Sequence, residues 1–206
     1  MQKEHWQAIY SSKEMDEVSW YQRFPGNSLD LIKRIAKNKD ASIIDVGGGD
    51  GFLVDELIKL GYNNITVLDI SENAIKRVKQ RLGDVANNVR WIISDITEFS
   101  PDHKYDIWHD RAVFHFLTKD VDIDKYKSLV SSSLKNTGHF ILATFSERGP
   151  DKCSGLFVRK YSKKDQKLKF NNCFNVLDSF NYDHITPFRT IQNFTFSLFE
   201  RKNYNF

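Results

Sequence analysis

Three consecutive glycines, Gly47-Gly48-Gly49, with a fourth at Gly51, follow directly on the apolar run Ile43-Ile44-Asp45-Val46. A strand that ends in Asp-x-Gly-x-Gly-x-Gly and runs into a helix offers bare backbone and free N–H groups, the surroundings that suit a nucleotide-like ligand. Such a ligand carries a ribose diol, which needs acceptors at the end of the next strand. Asp69, twenty-two residues after Gly47, stands there. A third acid, Asp95, follows the next apolar run. Taken singly, each acid has an ordinary reading, Asp69 beside a helix cap and Asp95 in a turn. Three acids at the ends of three successive strands have no shared structural cause, so their joint spacing points to a bound nucleoside. A second concentration of reactive side chains is YDIWHDRAVFHFL, where His109, Asp110, Arg111 and His115 crowd one short stretch. Either histidine could act as a general base toward an oxygen or amine, and His115 equally suits a hydrogen-bonded core position. Arg111 could anchor an anionic substrate or pair with Asp110.

These groups need strands to carry them. β-branched or apolar runs at 42–46, 65–68, 89–93, 105–108 and 139–144 alternate with helical patterns, which predicts a parallel sheet with helices on both faces. In GFLVDELIKLG, Leu53, Val54, Leu57, Ile58 and Leu60 form an apolar helical face and Gly61 supplies a stop; the next helix opens at Ser71. In such a sheet ligands lie beyond the carboxyl ends of the strands, so the end of the fourth strand should face the reacting centre. After residue 145 the pattern changes. Strand-like runs at 174–180 and 192–199, with no long helix between, predict an antiparallel pair at one edge. The stretch KYSKKDQKLK admits two readings, a solvated helix opened by Ser162 with Asp165 completing a capping box, or a phosphate-binding group of lysines.

The 206 residues, 40% hydrophobic and 28% charged, fit one globular domain. Its expected division is an N-terminal helical cap over 1–40, a cofactor-binding core over 41–145, and a lid segment with the terminal strand pair over 146–206. The net charge of +3 is spread along the chain without the dense basic block of a nucleic-acid groove, so no nucleic-acid partner is expected. Cys153 and Cys173 follow no metal-ligand spacing, and no metal is expected. MQKEHWQAIY lacks the apolar core of a signal peptide, and no run approaches the ~18 apolar residues of a membrane span, so a cytoplasmic setting without membrane contact is the expectation.

The glycine spacing at 47, 49 and 51, with Asp69 and Asp95 in register, resembles that of the class I S-adenosylmethionine-dependent methyltransferases over roughly residues 40 to 200. The resemblance implies a doubly wound, mostly parallel seven-strand α/β sheet with an antiparallel edge hairpin, the Rossmann-like methyltransferase fold, and S-adenosylmethionine as cofactor. It implies that Asp45 orients the loop and the cofactor's amino group, that the Gly47-Gly48-Gly49 turn passes beneath the methionine portion, and that Asp69 and Ile70 flank the adenosine. Asp95 would bond the adenine amino group and Ile96 would cover the ring. Gly48 and Asp50 depart from many members, which carry Cys or Ala and Thr or Ser there.

A looser similarity links Asp110-Arg111, Trp6, Tyr10, Trp20-Tyr21-Gln22, Pro25 and Ser28-Leu29 to thiopurine methyltransferases and related enzymes that methylate sulfur or heavier chalcogens. It implies Trp20 and Gln22 as cofactor contacts and His109, Asp110 and Arg111 as the catalytic group, Asp110 also touching the cofactor. An aromatic wall suits a sulfonium cation and excludes water; docking onto a core explains the same aromatics. The expected acceptor is a small molecule, a thiol or other soft nucleophile, because a thiol of pKa near ~8.5 supplies its own thiolate. A protein lysine is the alternative, with Asp110, Asp120, Asp122 and Asp124 near the right edge. The segment 144–162 reads as a lid.

Overall fold

Every residue of β1 (Ile43–Val46) is buried, which is why its sequence is an unbroken apolar run apart from Asp45. Parallel strands covered on both faces read this way. In the computed structural model, which describes residues 3–202, α1 (Lys3–Ser12) and α2 (Gly26–Ile35) precede β1. Then come α3 (Leu53–Lys59), β2 (Ile65–Asp69), α4 (Glu72–Leu82), β3 (Val89–Ile93), β4 (Tyr105–Arg111), α5 (Asp120–Ser133) and β5 (Leu134–Phe145). A short hairpin of β6 (Lys152–Cys153) and β7 (Leu156–Phe157), α6 (Lys163–Phe170), and the long pair β8 (Phe174–Ile185) and β9 (Ile191–Arg201) complete the chain. Positions 1–2 and 203–206 of the expected division lie outside the described residues.

The main sheet has the order β3-β2-β1-β4-β5-β9-β8. β1 pairs parallel with β2 on one side and β4 on the other, so the strand order reverses there and opens a crevice at the carboxyl ends. β9 lies antiparallel to β5 and β8 antiparallel to β9. The expected doubly wound sheet with an antiparallel edge pair is the one observed. Its strands run longer than expected at β4, which continues to Arg111, and at β8 and β9.

Alternation along the strands divides the core between the two faces. Ile43, Ile107 and Ile141 pack with Ile32, Leu57 and Val78 of α2, α3 and α4. Ile44, Trp108 and Phe140 pack on the other face with Tyr126, Phe170 and Phe199. Burying each such side chain is worth about 1.5–3 kcal/mol. The predicted caps form: Ser71 Oγ accepts the Ala74 N–H at 3.2 Å, and Ser162 and Asp165 make a reciprocal capping box at α6.

Two segments outside the sheet bear on the site. α1 is docked on the start of α4, where Gln7 Oε1 accepts from the Ser71 hydroxyl at 2.8 Å and the Asn73 N–H at 3.0 Å. The segment read as a lid is strapped down rather than open. The Arg159 N–H donates to the His115 carbonyl at 2.8 Å and the Tyr161 N–H to the Phe145 carbonyl at 2.9 Å. Among the described residues, no helix is long and apolar enough to cross a membrane.

Candidate active site

The chain leaves β1 through left-handed backbone at Gly47 (φ +67) and Gly49 (φ +56). The atoms crowding this turn belong to the protein. A Cβ at Gly47 would collide with Val113 Cγ2, one at Gly48 would lie 2.7 Å from Val67 Cγ1, and one at Gly49 would lie 2.5 Å from Tyr10 Oη. The turn is therefore glycine-rich for the fold's own packing as well as for any ligand. From outside it is held by two arginines one helical turn apart on α4. Arg77 Nη1 meets Asp50 Oδ2 at 3.1 Å, and Arg81 donates to the Asp50 and Gly51 carbonyls at 2.6 Å each while pairing with Asp55. Sequence reasoning missed this clamp; the available signal was the i, i+4 spacing of two arginines on a helix facing an acid in the loop.

Asp69 ends β2. Its Oδ2 accepts the Gly49 N–H at 2.8 Å and its Oδ1 the Ser71 N–H at 2.7 Å. Burial, with the Asp50 and Asp45 carboxylates nearby adding repulsion, pushes its pKa up to about 7 in spite of those two bonds. Each oxygen retains a lone pair for a hydroxyl donor. Asp69, Ile70, Gly47, Gly48 and Ile96 line one cavity. Gly49 and Asp95 do not line it. The Gly49 N–H is committed to Asp69, and Asp95 closes a local turn, accepting the Thr97 N–H at 2.9 Å and the Thr97 hydroxyl at 2.8 Å. Ser94 and Ile96, on either side of Asp95, take the wall instead.

The opposite wall is aromatic. Trp6 meets Trp20 edge-on with centroids 5.7 Å apart and Phe116 at 5.1 Å, and Tyr10 reaches in from α1. Gln22 also lines the cavity. Burial, then the charge of Asp69, holds the Tyr10 hydroxyl well above its ordinary pKa. The acceptors of Asp69, the glycine turn and the aromatic faces fit a nucleoside-bearing sulfonium cofactor. The enclosed space is about 130 Å³, below the ~300 Å³ at which small-molecule sites begin.

At the end of β4 the two-residue period sorts the candidate residues. His109 and Arg111 line the cavity, whereas Asp110 turns to the other face. Asp110 is fully buried and accepts the Val113 N–H at 2.9 Å, the Phe114 N–H at 3.1 Å and the Tyr126 hydroxyl. Burial pushes its carboxyl up to about 6. Asp110, expected to take part in catalysis and touch the cofactor, does not line the cavity here; it caps the turn Phe114–Phe116 that follows Ala112, a residue at φ +72.

His109 is 2% exposed, with Nδ1 2.7 Å from Asp45 Oδ1 and Nε2 2.8 Å from Ser28 Oγ. With both nitrogens engaged, it positions Asp45 and does not stand free as a base. Ser28, on α2, was not singled out for this contact. His115 does not line the cavity; burial and then the Arg111 charge push its pKa down to about 3, so it is a neutral core histidine. Arg111 makes no pair with Asp110. Its Nη1 donates to the Trp20 carbonyl at 3.3 Å, its guanidinium lies 4.9 Å from the Phe194 ring centre, and its Nη2 is buried without a partner. Burial lowers its pKa to about 10, which leaves it cationic at neutral pH.

The sequence matches the methyltransferase domain family over residues 37–190. It is 31% identical over 161 residues to EEF1A lysine methyltransferase 2 of Homo sapiens, covering 69% of this chain and 66% of that protein. It is 28% identical over 138 residues to malonyl-[acyl-carrier protein] O-methyltransferase 2 of Ilyobacter polytropus, covering 66% and 51%. The chain thus spans between about half and two thirds of the length of these curated relatives. In fold it is similar to the N-methyltransferase NodS from Bradyrhizobium japonicum WM9, solved in complex with S-adenosyl-L-homocysteine, with a TM-score of 0.73 at 14% identity, covering 97% of this chain and 99% of that one.

Proposed function

This chain belongs to the methyltransferase domain family, and we propose that it carries the methyl group of S-adenosylmethionine to a small molecule whose nucleophile, a thiol or another soft centre, ionises on its own. The cofactor supplies a methyl group on a cationic sulfur. Asp69 accepts the ribose hydroxyls, the turn at Gly47 and Gly48 lets the methionine portion approach, and Asp45, oriented by His109, receives the amino group. Trp6, Tyr10, Trp20 and Gln22 cover the cofactor, and the aromatic faces favour its cation while excluding water.

The observation that carries the choice of acceptor is the state of the ionisable groups lining the cavity. Asp45, Asp50, Asp69 and His109 are each bonded to a protein partner. Burial keeps Tyr10 protonated and pushes the Cys153 thiol up to about 12. Among them Asp69, at about 7, is the group that could exchange a proton near neutral pH, and its place is at the ribose rather than the acceptor; Arg111, at the end of β4, is a cation. A nucleophile that brings its own lone pair suits this wall, and Arg111 would hold the acceptor's negative charge.

A protein lysine acceptor is the second reading, favoured by the likeness to EEF1A lysine methyltransferase 2. Against it, the acids expected to hold a lysine are elsewhere. Asp110 is buried, Asp120 pairs with Arg159 at 2.8 Å, Asp124 pairs with Lys127 at 3.0 Å, and none of them, nor Asp122, lines the cavity. Methyl-labelled S-adenosylmethionine, offered with a panel of small thiols and separately with whole-cell protein, tests the choice. Label in a small thiol is the expected result; label confined to protein lysine would overturn it.

A further inference from the structure

The lysines of 160–169 sit on a capped helix, and the fold shows what some of them face. Between α5 and α6 lies a surface cleft of about 480 Å³ that shares no lining residue with the cavity at the glycine turn. Its wall carries four cations, Lys127, Arg159, Lys160 and Lys169, against one carboxylate, Asp165. Asp165 is already committed, its Oδ2 accepting the Ser162 N–H at 3.0 Å and the Ser162 hydroxyl at 2.6 Å. All four cations are half-buried, whereas Lys163, Lys164 and Lys167, on the same helix but outside the cleft, are exposed.

The charges in the cleft are weakly matched. Arg159, Lys160 and Lys127 meet Asp120, Asp151 and Asp124, carboxylates that are 80%, 77% and 70% exposed and that do not line the cleft. Pairs so exposed are worth little and yield readily to a stronger anion. Lys169 makes no close ion pair among the described residues, and Asp120, already paired with Arg159, is the carboxylate near enough to feel its charge. Tyr161 is 2% exposed, lines the cleft, and its hydroxyl has no hydrogen-bond partner. Burial pushes that hydroxyl up to about 12, so at neutral pH it is a donor. A buried hydroxyl left unmet is costly, and native folds keep few. The strap bearing Arg159 and Tyr161 is bonded to the His115 and Phe145 carbonyls, which fixes these donors in place.

Four cationic donors and one neutral O–H, with the only acid engaged, describe a receptor for an oxyanion of high charge. We propose that the cleft between α5 and α6 binds a phosphate group, as free inorganic phosphate or as the monoester of a small metabolite, with Arg159, Lys160, Lys127 and Lys169 supplying charge and the Tyr161 hydroxyl donating to one oxygen. This site is separate from methyl transfer and stands whether or not the acceptor assigned above is correct.

The test is calorimetry on the full chain at constant ionic strength in chloride, titrating inorganic phosphate and, in parallel, glycerol 3-phosphate. Saturable binding to one site is expected, and the tighter of the two ligands identifies the source. Lys169→Gln and Arg159→Gln should each weaken binding about tenfold or more, the loss expected for a charged hydrogen bond. Tyr161→Phe should weaken it about three- to tenfold and leave the thermal midpoint of the phosphate-free protein unchanged or higher, because it deletes an unmet hydroxyl. Lys163→Gln and Lys164→Gln should leave affinity as it is. Absence of saturable binding to either ligand, equal losses in the Lys163 and Lys164 variants, or wild-type affinity in a Tyr161→Phe protein would overturn the site.

Discussion

Asp69→Asn separates the two demands placed on the carboxylate that ends β2. In the folded chain its pKa stands at about 7, against 3.8 when exposed. A group whose folded pKa is raised contributes stability that is fully present below pH ~4 and is lost as pH rises through ~7, because the unfolded chain releases its proton first. At about 1.4 kcal/mol per pH unit, the loss amounts to about 4 kcal/mol by pH 8. A carboxamide carries no such dependence, but its NH2 group cannot accept, so one of the two N–H groups that the carboxyl holds, at Gly49 or Ser71, is left unmet at every pH, a loss of about 1–3 kcal/mol. Urea denaturation should therefore find Asp69→Asn less stable than wild type by about 1–3 kcal/mol at pH 4, with the difference shifting in the variant's favour by about 4 kcal/mol between pH 4 and pH 8. Over the same range the variant should bind S-adenosylhomocysteine at least tenfold more weakly at pH 8, from the loss of a charged acceptor worth roughly 1.5–3 kcal/mol. Wild-type affinity should itself rise with pH up to about 7. A stability difference that stays constant between pH 4 and pH 8, or a variant that binds the product equally well, would refute the reasoning.

Asp110→Ala leaves two N–H groups and the Tyr126 hydroxyl unmet in the core, so denaturation should show a loss of about 3–5 kcal/mol, while cofactor affinity of the folded fraction stays near wild type. Gly47→Ala should destabilise through both its positive φ and the collision with Val113; adding Val113→Ala should recover part of the loss but not the ~1–2 kcal/mol of backbone strain, a double-mutant cycle read by thermal melts. His109→Gln should weaken cofactor binding through the loss of order at Asp45, and its pH–rate profile should keep the wild-type shape, since His109 is not the base; an inflection present in wild type and absent from the variant would contradict this.

Much of the sheet was legible because buried parallel strands read as apolar runs, and β1 and β2 fall close to where those runs stand. Asp69 was legible for a similar reason: a carboxylate at the end of an apolar strand has few explanations. The assignments at His109, Asp110 and Arg111 treated adjacent residues as one group, although the period of two along β4 sends Asp110 away from its neighbours. His109's partners, Asp45 and Ser28, lie 64 and 81 positions away in sequence, a distance over which spacing carries no information. The glycines were read as making room for a ligand. That Tyr10 and Val113 fill the same room depends on where α1 and the turn after β4 dock, which local pattern does not reveal.

The position of β9 has a consequence for how the chain reaches this fold. β9 is the last strand among the described residues, yet it lies inside the sheet, between β5 and β8. During synthesis β5 therefore emerges with one hydrogen-bonding edge bare and Phe140 lacking its stacking partner Phe199, whose ring centre ends 5.4 Å away. β8 cannot cover that edge first, because it reaches the sheet only through β9. The local turn at Thr186–Thr190 can join β8 and β9 into a hairpin ahead of docking, and the hairpin then closes the sheet as a unit. Until it does, a long apolar edge stands open to other chains, so the interval between the release of β5 and the arrival of Arg201 is the one in which aggregation competes most with folding.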